Sequence, residues 1–263
     1  MQTQEEMNRL VPERLHEIEE KYQVKVLWAV ESGSRAWGFA SPDSDFDVRF
    51  IYKRPQQEYL KLEKNRDVIE LPIDDTWDVS GWDLDKTLKL LHNSNPSLYE
   101  WMGSPICYCR TGFEERLQPL LKEYFSPRRM LEHYRSIAAR HMRDYLQSDA
   151  VQPKKYFYAL RPILACGWIL KHRAAPPVLF SELADEQLPE ELRPVVEHLL
   201  DLKMNGPEKL QIEPIAEINA YLERRIRELD AFLAQPELLE HGQNDWTPLN
   251  RFFLEETGRE DTI

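Results

Sequence analysis

The segment at residues 33–50 reads GSRAWGFASPDSDFDVRF, and it is flanked by two short apolar runs, VKVLWAVE (24–31) and FDVRFIY (46–52). Both runs are β-branched and aromatic in the manner of strands, and the first runs straight into a Gly-Ser turn. At that turn Gly33 permits a backbone path that a Cβ would hinder. Ser34 adds a hydroxyl beside exposed N–H groups, an arrangement suited to phosphate oxygens. Eleven residues after Ser34, Asp45 and Asp47 open the second run. On a strand, i and i+2 spacing puts both carboxylates on one face. Two like charges so close need a counter-charge, and hard oxygen ligands suit Mg²⁺ or Mn²⁺. A Gly-Ser turn is usually only a turn, and Asp-x-Asp is usually a solvated or capping pair. The combination, in this order and between two strands, carries the reading. Gly33-x-x-x-x-Gly38 lacks the G-x-G-x-x-G spacing of a dinucleotide site, so that alternative is discarded.

Outward from this segment, Thr3-Gln4-Glu5-Glu6 fits a capping box, and Pro12 fits the first turn of a second helical segment, ERLHEIEEKY, ending near Tyr22. Downstream, DVIELPI (67–73) and TWDVSGW (76–82) flank Asp74-Asp75 and suggest a hairpin. From Asp83 the apolar period changes from two to about 3.6: Leu84, Leu88 and Leu91, then Leu98, Trp101 and Met102 after the break at Asn95-Pro96. Four longer helical patterns follow, at 126–148, 153–173, 188–205 and 215–235. The expected fold is α+β: a small mixed β-sheet domain with flanking helices over 1–125, then an all-helical C-terminal domain over 126–263, divided near Ser126-Pro127.

Composition sets outer limits. With 42% hydrophobic and 30% charged residues and only 9 glycines in 263, the chain is an ordinary globular one. No run approaches the length of a membrane span, and MQTQEEMNRL resembles no signal peptide, so no membrane association and a cytoplasmic location are expected. Cys107, Cys109 and Cys166 are too few for a disulfide framework and lack zinc-site spacing. A net charge of −12 argues against non-specific binding to a phosphate backbone. Residues 121–173 depart from that balance, with eleven Lys/Arg against four acids. Such a stretch either faces a phosphate-bearing ligand or forms solvated helix faces.

The run from strand through Gly-Ser to Asp-x-Asp resembles the signature of the polymerase-β-like nucleotidyltransferases, in which Gly-Ser binds nucleotide phosphates and three acids bind two metals. Further blocks, TWDVSGWDLDKTLKLLHNSNPSLYEWMGSPICY and KKYFYALRPILACGWI, resemble the narrower YcgL-like family, also called RlaP, an RNA-ligase-associated group placed in RNA repair. The resemblance implies a third acid on a later strand. Asp78, between apolar Trp77 and Val79, is the first choice; Asp83 is the rival, although N-capping explains it equally well. Glu70 is more distant. By the same resemblance Gly33, Ser34 and Arg35 contact the triphosphate, and Lys155 and Arg161 reach it from a helical domain. The implied function is Mg²⁺- or Mn²⁺-dependent transfer of NMP from an NTP to an acceptor, an RNA end in RNA repair, in association with an RNA ligase. The alternatives are a small-molecule or protein acceptor, or a non-catalytic nucleotide-binding module.

Overall fold

The capping box forms in full: the Thr3 hydroxyl accepts from the Glu6 N–H and the Glu6 carboxylate accepts from the Thr3 N–H, starting helix α1 (Gln4–Tyr22). Helix α1 continues through Pro12 where a new start was expected. Pro12 forfeits one backbone bond, but Met7, Val11, Leu15 and Ile18 make an unbroken buried stripe that keeps the helix whole. The computed structural model describes residues 3–72, 77–207, 209–235 and 243–259.

After α1 come β1 (Lys25–Glu31), the single turn α2 (Gly33–Ala36), β2 (Phe46–Lys53), α3 (Gln56–Tyr59), β3 (Val68–Glu70), β4 (Trp77–Asp83), α4 (Leu84–His92), α5 (Pro96–Met102), β5 (Cys107–Arg110) and α6 (Phe113–Glu123). The strands form one sheet in the order β3-β4-β2-β1-β5. Its pairs are antiparallel except β2 with β4, which is parallel. The expected β3–β4 pairing is present; the turn at Asp74-Asp75 lies outside the described residues. Strand β5 had no forecast, because Cys-Tyr-Cys-Arg is too short to show a period of its own and is recruited by the open edge of β1.

The pleat sends Phe46, Val48, Phe50 and Tyr52 of β2 into one core with the α1 stripe, Val79 of β4 and Tyr108 of β5. Asp47 and Arg49, at the alternate positions, therefore point to the other face. Gly81 lies under the Phe50 ring, where an added Cβ would sit 2.2 Å from a ring carbon. No helix among the described residues is long and apolar enough to cross a membrane.

The remaining helices are α7 (Pro127–Tyr145), α8 (Pro153–His172), α9 (Phe180–Gln187), α10 (Arg193–Asn205), α11 (Ala216–Leu233) and α12 (Thr247–Gly258). The chain resolves into two compact units. The first takes the described parts of 1–36, 45–124 and 243–263, and the second those of 37–44 and 125–242. Two segments pack away from their neighbours in the chain. Helix α12 packs in the first unit, where the Arg116 guanidinium makes a two-pronged ion pair with buried Glu256 at 2.6 and 2.8 Å and Lys53 donates to the Glu256 and Arg259 carbonyls. Residues 37–44 pack in the second. There Phe39 lies buried 4.9 Å from the Phe157 ring and 5.7 Å from the Phe180 ring, and the Lys203 Nζ sits 3.0 Å from the Ser41 hydroxyl.

Candidate active site

The Gly-Ser turn and the Asp-x-Asp strand are tied to each other at several points. Gly33 adopts φ +60°, and a Cβ there would stand 2.0 Å from Asp47 Oδ2, so the Asp47 carboxylate lies directly against the glycine backbone. The Ser32 N–H donates to the Asp47 carbonyl at 2.9 Å. Arg35 donates through Nε to the Asp45 carbonyl at 3.1 Å and lays its guanidinium 3.6 Å from the Phe46 ring centre. Ser34 follows Gly33 in α2, partly exposed, and Asp45 is exposed just ahead of β2.

Asp47 and Asp78 are direct partners in the parallel β2–β4 ladder, so their side chains stand on the same face one strand apart. Between them lies Arg49: its Nη2 is 2.9 Å from Asp47 Oδ1 and 2.7 Å from Asp78 Oδ2, and its Nη1 donates to the Asp78 carbonyl at 2.7 Å. Burial pushes the Asp47 carboxyl above its ordinary range, with Asp78 and Asp45 adding to the rise and Arg49 opposing it. Asp47 and Asp78 present carboxylate oxygens, the donor chemistry that suits a hard divalent cation, and they already share one positive charge. Among the described residues no three Asp, Glu, His or Cys side chains stand close enough together to hold a metal ion. The guanidinium draws Asp47 and Asp78 onto itself.

Asp83 has a different setting. It caps α4 through the Asp85 N–H, pairs with Arg54 at 3.2 Å and accepts from the Tyr59 hydroxyl at 2.9 Å, with its side chain 4% exposed. Those partners use both its oxygens. Glu70 pairs with Arg66 on the exposed end of β3. Asn95 caps α5, and Lys86 pairs with Asp67 at 3.3 Å.

Sequence reading gave no role to two residues of this site. Arg49 is one. Glu31 is the other: fully buried at the end of β1, its carboxylate accepts from the Asp47 N–H at 2.7 Å and from the Tyr108 hydroxyl at 2.5 Å. Burial pushes its pKa up to about 7, against the two hydrogen bonds that pull it down. A lone acid closing the apolar run 26–30, two residues before Gly33, was the available signal.

In the second unit, Lys155 stands 3.8 Å over the Tyr145 ring, its pKa lowered by partial burial and by Lys154. Arg161 is 2% exposed, with its guanidinium on the Val178 carbonyl and 4.7 Å from the Trp37 ring. A phosphate reaches Arg161 only if that packing opens. Much of the basic stretch is engaged within its own unit: Arg128 with Glu132, Arg135 with Asp230, Arg143 with Asp144 and Lys171 with Glu186.

Residues 7–255 match the family described as RNA repair pathway DNA polymerase beta family. The chain is 45% identical over 251 residues to the uncharacterized protein YcgL of Bacillus subtilis (strain 168), covering 94% of this chain and 95% of that one. Among solved structures, a nucleotidyltransferase-like protein from Exiguobacterium sibiricum aligns over 94% of this chain and 81% of its own, at 14% identity and a TM-score of 0.32.

Proposed function

This chain belongs to the RNA repair pathway DNA polymerase beta family, and from that premise we propose that it transfers a nucleoside monophosphate from an NTP to an acceptor hydroxyl or phosphate. The observation that carries the reading is the in-register Asp47–Asp78 pair with the Gly33 backbone pressed against the Asp47 carboxylate. Carboxylates, glycine turn and hydroxyl thus stand within one short stretch of fold, which is what a triphosphate and a hard cation need from a protein.

Asp45, Asp47 and Asp78 would hold Mg²⁺ or Mn²⁺, which supplies neutralisation of phosphate charge and a more acidic acceptor hydroxyl. Gly33 lets the phosphates approach the backbone, Ser34 offers a donor beside them, and Arg35 supplies positive charge. The acceptor oxygen bonds to the α-phosphorus, the bond to the bridging oxygen breaks, and pyrophosphate leaves. The acceptor's proton passes to one of the three carboxylates. The family's description as an RNA repair pathway group supports an RNA end as acceptor. A second reading changes only the acceptor: a net charge of −12, with Arg128, Arg135 and Arg143 held in ion pairs, favours a small molecule or a protein side chain over a long RNA.

The test is incubation of the protein with each labelled NTP, Mg²⁺ or Mn²⁺, and a panel of RNA ends, metabolites and cell extract. Label is expected on one acceptor class with matching pyrophosphate release. Metal plus NTP is expected to raise the thermal midpoint, and the folded Asp45→Asn/Asp47→Asn variant to lose both effects. An undiminished midpoint shift in that variant sinks the assignment of ligands. A shift in the wild type with no pyrophosphate from any NTP identifies a non-catalytic binder instead.

A further inference from the structure

Asp47 and Asp78 face one another across adjacent strands, a separation of about 5 Å between backbones. Left alone, two carboxylates at that distance repel, and partial burial strengthens the repulsion. The fold answers with Arg49, two residues along β2 on the same face as Asp47. One guanidinium takes up both carboxylates, and it is fixed besides by the Asp78 carbonyl at 2.7 Å and the Val48 carbonyl at 3.2 Å. Its side chain is 17% exposed, beside carboxylates at 28% and 35%. Charge-assisted contacts of this kind are among the stronger polar interactions. The planar fork lies where a cation shared by the two carboxylates would have to sit.

We propose that Arg49 is an exchangeable counter-cation, a positioning residue that holds the Asp47–Asp78 pair in register and competes with a divalent cation for it. This rests on the carboxylate site of the proposed function and adds a consequence to it. A divalent ion arriving by itself must displace a bound positive charge and leave the guanidinium half-buried without an anion. Phosphate oxygens arriving at the same time give the displaced guanidinium a new partner, so metal and nucleotide load together.

The test measures Mn²⁺ binding to the full chain without nucleotide, from the electron paramagnetic resonance signal of free Mn²⁺. Arg49→Met keeps the length and removes the charge, and is expected to bind Mn²⁺ about tenfold or more tightly than the wild type, as the loss of one charge-assisted contact implies. Arg49→Lys keeps a single charge without the fork, and is expected to fall between the two. It also stands in if Arg49→Met fails to fold. A merely structural arginine would weaken metal binding when removed. Equal or weaker Mn²⁺ binding by the folded variants, with NTP-dependent transfer intact in the wild type, overturns the counter-cation role alone. No Mn²⁺ binding by either variant or wild type, with no transfer, overturns both this role and the proposed function.

Discussion

Asp78 and Asp83 lie on the same strand five residues apart, in different surroundings. Asp83 has its oxygens committed to the Asp85 N–H, Tyr59 and Arg54 inside the protein. Burial pushes its carboxyl up and those partners pull it back. Asp78 keeps a third of its side-chain surface and shares Arg49 with Asp47. Asp78→Asn is therefore expected to cost under about 1 kcal/mol of stability, because the pair it breaks is partly solvated, while the proposed nucleotidyl transfer falls on the order of a hundredfold or more for loss of the proposed metal ligand. Asp83→Asn is expected to keep its cap and its activity per folded molecule, and to lose roughly 1–3 kcal/mol through the charge contact to Arg54. Paired denaturant melts and transfer assays on the two variants check this; the reverse pattern makes Asp83 the third acid.

At the scale of elements, the site depends on how β1 is fastened to its neighbours. Glu31 ends β1 and receives the β2 backbone at Asp47 and the β5 hydroxyl of Tyr108, which is itself in contact with Gln4 of α1. The groups around its carboxyl are Tyr108, Asp47 and Arg35. In the unfolded chain the carboxyl ionises near 4.5, whereas in the fold it holds its proton to about 7. The folded state then binds the extra proton between those values, so this group's stabilisation is complete below about 4.5 and is lost as pH rises toward 7. Thermal midpoints of the wild type and Glu31→Gln, taken across that window, are expected to diverge, with the wild type losing ground as pH rises. Parallel curves would show that Glu31 does not titrate there. The glutamine keeps an oxygen for the Asp47 N–H, so the comparison isolates the charge.

At the scale of the whole molecule, the second unit owns a piece of chain that precedes it by more than eighty residues. Phe39 fills the space beside Phe157 and Phe180, Trp37 lies on Arg161, and Ser41 and Ser44 receive the buried Lys203 ammonium. A fragment of residues 125–242 alone would lack all of these. Removing a buried Phe by itself costs about 3–5 kcal/mol, comparable with the stability of a small domain. The isolated fragment is expected to melt without cooperativity, while the full chain melts cooperatively; a sharp transition in the fragment at the full chain's midpoint would overturn this. The sequence by itself determined what is local. The apolar runs, the glycine that must turn, and the caps at Thr3, Asp83 and Asn95 all depend on neighbours within a few residues, and each appears where those neighbours dictate. Tertiary structure alone decided which residues stand opposite. Asp78 meets Asp47 through a parallel pairing between strands some thirty residues apart, Arg49 becomes their shared cation only because of that register, and Glu31 reads as an ordinary strand-end acid until Tyr108 arrives from β5. Strand β5, helix α12 and the burial of residues 37–44 have the same origin: each is fixed by a distant surface that needs covering, and a short segment carries no periodic record of its partner.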